Sequence, residues 1–328
     1  MNIELRVLSR QDVKQALPMQ EAIQAMRESF TLLYQQKAQL PTRMEMPLED
    51  VNADLLFMPS YVSDYQQAGL KIANVFRDNP AQGFPLIQGM MLLIDTQNGQ
   101  PCALMDSTYL TALRTAAGSA LATDLLANKE AKTLALFGTG ANAITHLEAM
   151  TSIRDIEKVW VYGRTLDKAQ AFVDEHQPHY SISLVATDTL SDLAQAHIIC
   201  TTTSASTPLF EAQQVAAGTH ITAIGSYKPH WREIPGRLVA QSKIVVDSHE
   251  ACLSEAGDIL MPIKEGLMNE KHILGELGEV IVDKKAIRTS AEDITFYKSV
   301  GVGVQDLTAA HYIYQKAQQL GLGKLISI

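Results

Sequence analysis

The sequence is poor in cysteine and has no long apolar run. Its three cysteines, Cys102, Cys200 and Cys252, are widely spaced and form no CxxC pair, which is typical of a reducing compartment rather than of a disulfide-linked fold. No stretch approaches the roughly 18 apolar residues that identify a membrane-spanning helix. The first residues, MNIELRVLSRQD, carry charges where a signal peptide needs an apolar run. The sequence therefore predicts a cytoplasmic protein with no membrane partner.

Basic residues are also fewer than acidic residues. Lys and Arg number 27 against 36 Asp and Glu, which gives a formal net charge of −9. Because nucleic-acid binding generally needs a basic face, we expect no nucleic-acid partner. None of the histidines stands in an HxxxH or HExxH pattern, so we expect no metal site. This balance does not exclude a small anionic ligand, since a few cations can hold one within a surface that is acidic on average.

The apolar pattern changes near residue 130, which indicates two domains, as the length of 328 residues also does. Residues 40–110 contain short apolar runs between turn signals, which predict an antiparallel or mixed sheet. After residue 130 strands alternate with helices of about ten residues, which is typical of an α/β fold with a doubly wound parallel sheet. In this second part the predicted strands are at 133–138, 158–163, 196–202, 219–225 and 242–247, and the predicted helices are at 141–150 and 166–176.

Helices are also predicted outside that part of the chain. Ser9 and Asp12 have the spacing of a capping box, and apolar residues at helical spacing follow Pro18 up to about residue 36. An Ala- and Leu-rich helix is predicted at 111–127. The segment 294–321 predicts a loop followed by a long helix.

A glycine-rich segment, Gly138-Thr-Gly140-Ala-Asn-Ala143, lies between a predicted strand and a predicted helix. Glycine at the first two positions permits a tight turn and close approach of the backbone to a pyrophosphate, and a small third residue lets the helix pack on the sheet. The amino end of the helix would supply N–H groups for the phosphates. The segment predicts dinucleotide binding by Gly138, Gly140, Ala141 and Asn142. The alternative is a glycine-rich turn in another α/β fold, such as a methyltransferase.

The second predicted strand of this part ends at Tyr162-Gly163-Arg164-Thr165, where NAD enzymes usually have a carboxylate for the ribose hydroxyls. The guanidinium of Arg164 and the hydroxyl of Thr165 suit a 2′-phosphate instead, because they can form charge-assisted hydrogen bonds to it. We therefore predict NADPH as the cofactor, with NADH as the second choice. The alternative is that Arg164 is a solvated surface residue.

Three cations stand among apolar or small residues: Arg43 in LPTRMEM, Lys71 in AGLKIANV and Arg114 in TALRTAAGSA. A Lys within an apolar, strand-like run costs free energy unless it is paired or solvated, and so does an Arg at the start of an Ala-rich helix. Each of the three, taken alone, is more typical of a surface charge. Together they predict a site for an anion.

Short segments distributed along the chain carry a family resemblance. They are Pro41-x-Arg43, Gly69-x-Lys71, Leu110-Thr-Ala-Leu-Arg-Thr-Ala-Ala117, Gly138-Thr-Gly-Ala141, Gly163-Arg-Thr165, Gly225-Ser-Tyr-Lys-Pro229, Val246-Asp-Ser248 and Lys298-Ser-Val-Gly301. With these segments the chain resembles the ornithine cyclodeaminase/μ-crystallin family over essentially its whole length.

The resemblance implies a domain organisation and a set of roles. A Rossmann-type NAD(P)-binding domain at 120–300 would be inserted into an α+β substrate-binding and dimerisation domain made of 1–119 and 301–328, with the active site in the cleft between them. The family also implies a homodimer. Arg43, Lys71 and Arg114 would hold the substrate carboxylate, with Lys71 as a candidate proton donor. The positions that would line the cofactor, besides the glycine-rich segment, Arg164 and Thr165, are Arg114, Thr203, Ile224, Ser226 and Ser299.

The segment 225–233 discriminates among the reactions of the family. Ornithine cyclodeaminases carry an Asp at the position of Tyr227, so the resemblance favours the ketimine reductases, whose Trp231-Arg-Glu233 the chain shares. The expected reaction is NAD(P)H-dependent reduction of a small anionic imino acid. It would convert Δ1-pyrroline-2-carboxylate to L-proline, or Δ1-piperideine-2-carboxylate to L-pipecolate, in trans-3-hydroxy-L-proline degradation. The alternatives are alanine dehydrogenase, ornithine cyclodeaminase and a non-catalytic, μ-crystallin-like protein that binds NADPH and a ligand.

Two further polar residues are weaker candidates. His146 follows the glycine-rich segment and is expected on a helix surface. Asp306 precedes the body of the last predicted helix, where it could cap that helix or orient a neighbour.

Overall fold

The computed structural model describes residues 4–328. In chain order its strands are β1 (Glu4–Leu8), β2 (Ala38–Gln39), β3 (Met44–Leu48), β4 (Ala53–Val62), β5 (Gln67–Phe76), β6 (Ile87–Asp95), β7 (Pro101–Asp106), β8 (Thr133–Phe137), β9 (Lys158–Tyr162), β10 (Ser183–Ala186), β11 (Ile198–Thr201), β12 (His220–Ala223), β13 (Lys243–Val246), β14 (Ile273–Glu276), β15 (Thr295–Lys298) and β16 (Lys324–Ser327). Its α-helices are α1 (Arg10–Ala16), α2 (Met19–Tyr34), α3 (Ser107–Leu126), α4 (Ala141–Ile153), α5 (Leu166–His176), α6 (Gly236–Gln241), α7 (His249–Glu255), α8 (Gly257–Lys264), α9 (Leu277–Val282) and α10 (Gly303–Leu320).

These elements form two units. Unit 2 is the continuous stretch Thr115–Gly301, and unit 1 consists of the described residues before it, up to Arg114, and after it, from Val302. Helix α3 therefore begins in unit 1 and ends in unit 2. Residues 1–3, which the sequence places in the first domain, lie outside the described residues.

Unit 1 is built on a mixed sheet with the strand order β16-β1-β7-β6-β5-β4-β2, and β3 also pairs with β4. The neighbours from β4 to β7 are antiparallel, whereas β1 is parallel to β7. The first and last strands of the described chain are antiparallel neighbours, with Glu4 opposite Ser327. The mixed sheet confirms the class of sheet predicted for residues 40–110.

The central strands of unit 1 alternate between a face covered by a helix and an outer face. Directly opposed residues of antiparallel strands point to the same face, and one such row crosses β4 to β7 through Met58, Lys71, Met91 and Met105. All four residues are buried. Helix α10 covers this face, because its Asp306 reaches Lys71. The register of β5 therefore places a lysine among methionines in the interior.

Unit 2 is built on a parallel sheet with the strand order β10-β9-β8-β11-β12-β15-β13-β14. Alternate residues of β8, β9 and β11 enter different apolar clusters; in β8, Ala135 and Phe137 belong to one, and Leu134 and Leu136 to the other. A sheet buried on both faces has nearly continuous apolar strands, which is the pattern seen in the sequence. The structure thus confirms the predicted α/β fold with a doubly wound sheet.

The predicted elements of unit 2 are all present, and α5 has the predicted bounds 166–176. Strands β10, β14 and β15 were not predicted. The segment that holds β15 was expected to be a loop, but the structure gives it a place between β12 and β13. Its sequence, TFYK, begins and ends with polar residues that are nevertheless buried, and this conceals the apolar pattern of an interior strand.

Candidate active site

The glycine-rich segment forms the turn between β8 and α4. Gly138 has φ +117°, and a Cβ atom there would lie 2.4 Å from Oγ1 of Thr202, so the turn requires glycine. Gly140 is the N-cap of α4, and no side chain among the described residues caps this helix. A Cβ atom at Gly140 would meet nothing within 4 Å. The helix therefore presents its first N–H groups beside open space, which fits the phosphates of a dinucleotide.

The end of β9 carries the residues predicted to distinguish the cofactors. Arg164 is exposed, and no ion pair joins it to another residue of the described chain. Thr165 is the N-cap of α5 and its hydroxyl accepts a hydrogen bond from the backbone N–H of Lys168 at 3.4 Å. Arg164 is thus available to an anionic ligand, whereas the hydroxyl of Thr165 also has a local structural role.

The other positions expected to line a cofactor follow strands of unit 2. Thr203 follows β11, Ile224 and Ser226 follow β12, and Ser299 follows β15. In doubly wound sheets, ligands bind outside the carboxyl ends of the strands, and all four residues lie at that edge. Their polar atoms have protein partners as well: Oγ of Ser226 donates to the backbone oxygen of Trp231, and Oγ of Ser299 donates to the carboxylate of Asp247 at 2.7 Å.

Unit 1 contains a buried group of ionised side chains. Nζ of Lys71 lies 2.7 Å from Oδ2 of Asp306, and Nε of Arg114 lies 2.9 Å from Oδ1 of the same carboxylate. Nη1 of Arg114 donates to Oε1 of Gln305 at 3.2 Å. The exposed fractions are 1% for Lys71, 5% for Arg114 and 0% for Asp306. Two cations, from β5 and α3, therefore share one carboxylate from α10, a partner that the sequence did not predict for them.

The charges of this group do not balance. Burial, together with the charges of Arg114 and Arg43, lowers the pKa of Lys71 to about 8, although Asp306 opposes this shift. Burial alone would raise the pKa of Asp306, but Arg114 and Lys71 hold it below its ordinary value. With both cations charged, the group Lys71, Arg114 and Asp306 carries a net charge of +1. A carboxylate ligand would supply the missing negative charge, since buried charges are stable only when paired.

Arg43, the third predicted cation, stands between β2 and β3 and is half-buried. Its charge lowers the pKa of Lys71, so the structure brings it within electrostatic range of the group.

For Asp306, the sequence suggested only a capping or orienting role. The structure assigns it the second of these, because its two oxygens separately contact Lys71 and Arg114. The sequence signal for a functional Asp306 is that it is the single carboxylate in the run of apolar and small residues VGVGVQDLTAA, at 300–310.

The prediction for His146 is wrong. The side chain is fully buried, its Nδ1 lies 2.6 Å from the backbone oxygen of Asn142, and its Nε2 lies 3.0 Å from Oγ of Ser119. Burial lowers the pKa of His146 to about 4, so the ring is neutral near pH 7. It joins α4 to α3 within unit 2.

Within residues 4–328, no group of three or more His, Cys, Asp or Glu side chains is arranged to hold a metal ion. None of the helices in the same range is long and apolar enough to cross a membrane.

The chain belongs to the ornithine cyclodeaminase/mu-crystallin family, whose model matches residues 4–321. It is 38% identical over 322 residues to a Δ1-pyrroline-2-carboxylate reductase of Bacillus cereus, covering 98% of this chain and 99% of that protein. Among solved structures it matches Thermococcus litoralis Δ1-pyrroline-2-carboxylate reductase in complex with NADH and L-proline, with a TM-score of 0.95 and 35% identity over 98% of this chain and 100% of that one. It also matches an archaeal alanine dehydrogenase dimer with bound NAD, with a TM-score of 0.92 and 32% identity over 99% of both chains.

Proposed function

We propose that the protein is an NAD(P)H-dependent reductase of cyclic ketimines that converts Δ1-pyrroline-2-carboxylate to L-proline. The observation that carries this proposal is the buried group in which Lys71 and Arg114 share the single carboxylate of Asp306. Such a site has one positive charge in excess and suits a ligand with one carboxylate. The relatives named as Δ1-pyrroline-2-carboxylate reductases support that choice of ligand, because they match this chain over nearly its full length.

Arg43, Lys71 and Arg114 would hold the substrate carboxylate. The bonds from Arg114 to Asp306 and Gln305 use Nε and Nη1, so they orient the guanidinium and leave its Nη2 edge uncommitted by these contacts. Nζ of Lys71 has three N–H donors and lies 2.7 Å from Oδ2 of Asp306. Cations fixed in this way can orient a carboxylate with charge-assisted hydrogen bonds, and positioning of this kind is a major part of rate enhancement.

Reduction of the C=N bond consumes one hydride and one proton. A bound nicotinamide cofactor supplies the hydride to the imine carbon. We assign the proton to Lys71 or to solvent, since an imine can also enter the site already protonated. A pKa near 8 gives Lys71 a proton that it can release near neutral pH, which suits a general acid. Lys71 is the candidate proton donor of this chain.

We further propose NADPH as the preferred cofactor, with NADH as the second choice, although the matched structures contain NADH and NAD. Arg164 supports NADPH, because an exposed guanidinium at the end of β9 suits a 2′-phosphate. The turn at 138–142 would hold the pyrophosphate on the N–H groups of α4.

In this proposal residues 120–300 form the cofactor domain. Residues 1–119 and 301–328 together form the substrate domain, as the sequence predicts.

We also propose a homodimer formed through the outer face of unit 1. On that face the register places Met44, Phe57, Ile72 and Met90 in one row across β3 to β6. Met44 is 58% and Met90 43% exposed, and contiguous exposed apolar surface is typical of an interaction site. The matched alanine dehydrogenase is described as a dimer. Light scattering should give the mass of a dimer, and Ile72→Asp should give that of a monomer.

The experiment that tests the function is a screen of cofactor oxidation. Δ1-pyrroline-2-carboxylate, Δ1-piperideine-2-carboxylate and pyruvate with ammonia are each incubated with NADPH and, in parallel, with NADH. Rapid oxidation with the pyrroline substrate is the expected result. Oxidation only with pyruvate and ammonia would instead indicate an alanine dehydrogenase, and ligand binding without oxidation would indicate a carrier protein.

The place of this reaction in trans-3-hydroxy-L-proline degradation and the cytoplasmic location of the protein stay predictions.

A further inference from the structure

A buried carboxylate joins two loops at the carboxyl edge of the unit 2 sheet. Oε1 of Glu233 accepts hydrogen bonds from the backbone N–H of Thr203 at 2.8 Å and from its hydroxyl at 2.7 Å. Oε2 accepts from the backbone N–H of Gly225 at 2.8 Å and from the hydroxyl of Thr201 at 2.9 Å. Thr203 follows β11 and Gly225 follows β12. One fully buried side chain therefore links the loops that follow two neighbouring strands.

The two loops lie in very close contact. A Cβ atom at Gly225 would be 2.0 Å from the backbone oxygen of Thr203 and 2.6 Å from Oε1 of Glu233. Only glycine fits at this position, and the carboxylate occupies the space beside it. Gly225 and Glu233 are the two ends of the segment 225–233, which the family resemblance identifies as discriminating.

An ion pair beneath the loops completes the connection. Nζ of Lys298, at the end of β15, lies 2.9 Å from Oδ2 of Asp258 and donates to the backbone oxygen of Ser226 at 2.6 Å. Oδ1 of Asp258 accepts from the backbone N–H of Glu233 at 2.8 Å. Burial alone would lower the pKa of Lys298, but Asp258 and Glu233 raise it above its ordinary value, so the lysine is charged. It is a buried counter-ion for the two carboxylates.

We propose that Glu233 is a positioning residue for the cofactor site: it holds the backbone of Thr203 and Gly225 in the conformation that the dinucleotide meets. It does so without contacting the cofactor itself, because both of its oxygens are occupied by protein donors. The inference rests on the proposed function, in which Thr203 and Ser226 line the cofactor. It assigns a role to the last residue of the Trp231-Arg-Glu233 motif, which the reaction itself does not use.

The substitution Glu233→Gln gives a sharp test. Each oxygen of Glu233 faces one backbone N–H group, and such a group can only donate. The NH2 group of a glutamine can also only donate, so in either orientation of the amide it opposes a backbone N–H. Glutamine therefore keeps the size of the side chain but loses the hydrogen bond to the backbone N–H of either Thr203 or Gly225. The matched control is Glu265→Gln, which affects only the solvent-accessible ion pair between Arg232 and Glu265.

Two measurements read the position of the loops without relying on turnover. Fluorescence titration gives the Kd of NADPH, and amide hydrogen exchange reports on Thr203 and Gly225 in the cofactor-free protein. In Glu233→Gln we expect the Kd to rise about tenfold or more, the value of one charge-assisted hydrogen bond, and one of the two amides to exchange faster. The KM of the imine, whose site is in unit 1, should change far less than the Kd of NADPH. Glu265→Gln should match the wild type.

The outcomes separate this inference from the proposed function. Wild-type protein that binds neither NADPH nor NADH would overturn the proposed function. Wild-type protein that binds NADPH, together with a Glu233→Gln variant of unchanged Kd and unchanged amide exchange, would overturn the positioning role alone. If Glu233→Gln does not fold, Glu233→Asp replaces it, because the shorter carboxylate cannot reach both loops. An unchanged Kd in Glu233→Asp would then overturn the inference, and a raised one would support it.

Discussion

Replacing Lys71 with methionine tests whether the buried cations of unit 1 hold a carboxylate. Methionine has nearly the length of lysine and is already the residue type of the same sheet row, at Met58, Met91 and Met105. The substitution therefore preserves packing. It removes one positive charge from the site that Arg43, Lys71 and Arg114 form, so the attraction of the site for an anion should weaken.

The size of the effect follows from the burial of Lys71. Two unit charges about 4 Å apart interact by roughly 4 kcal/mol at an effective dielectric constant of about 20. Net hydrogen bonds to charged groups are worth about 1.5–3 kcal/mol. The hydrogen-bond range is the lower of these two estimates. With it, we expect Lys71→Met to raise the Kd of L-proline, the proposed product, roughly 10- to 150-fold.

The pH dependence supplies a second signature. Burial lowers the pKa of Lys71 to about 8, so this side chain loses its proton in the free protein as the pH rises through that value. A bound carboxylate favours the charged amine, and binding above pH 8 must therefore take up a proton. The affinity of the wild type should fall as the pH rises above about 8, by up to about tenfold per pH unit. The affinity of Lys71→Met should lack this dependence.

The assay is calorimetric titration of L-proline into the protein saturated with NADPH, a pair that cannot react. The control is Lys37→Met, the same substitution at the ion pair between Lys37 and Asp64, where both side chains are 46% exposed. The control should bind like the wild type. Equal affinity and an equal pH profile for Lys71→Met and the wild type would refute the carboxylate site.

Three further predictions concern single residues. Arg164→Asp should shift the ratio of kcat/KM values from NADPH towards NADH, because a carboxylate repels the 2′-phosphate and suits the ribose hydroxyls; an unchanged ratio would leave Arg164 a surface residue. Asp306→Asn should lower the free energy of unfolding in urea by about 3–5 kcal/mol, since it leaves Lys71 and Arg114 buried without their counter-ion; a negligible change would contradict the ion pairs. Burial lowers the pKa of His146 from 6.5 to about 4, so between these values the unfolded chain binds a proton that the folded one does not. Stability should therefore fall by up to about 3 kcal/mol as the pH drops through that window, and His146→Gln should show a smaller fall over the same pH range.

The cations of the site could be predicted from the sequence because each breaks a local pattern. Lys71 interrupts an apolar strand and Arg114 interrupts a run of small residues, and both anomalies are visible within ten residues. Their shared partner could not be predicted in this way. Asp306 occupies the first turn of α10, where a carboxylate also suits the helix dipole. Its contact with Lys71 depends on how α10 packs on the sheet, and this packing cannot be predicted from a local sequence pattern.

The extent of the central strands was underestimated for a related reason. The apolar runs at 55–58 and 70–75 lie within strands of ten residues, β4 and β5. Near their ends the strands include Asp54 and Gln67, which are buried although they are polar, so the apolar runs are shorter than the strands. His146 was misplaced because a helix of a doubly wound sheet can be buried on more than one side. The partner that buries it, Ser119, comes from a preceding helix.

The path of the chain sets an order of events during synthesis. Unit 2 is continuous, so all of it is synthesised before the segment that begins at Val302. Lys71 and Arg114 are made early, but their counter-ion arrives with α10, and β1 gains its neighbour β16 later still. Because an unpaired buried cation is costly, these two side chains must stay in water until then. On the growing chain the anion site is completed only after the whole parallel sheet has been synthesised.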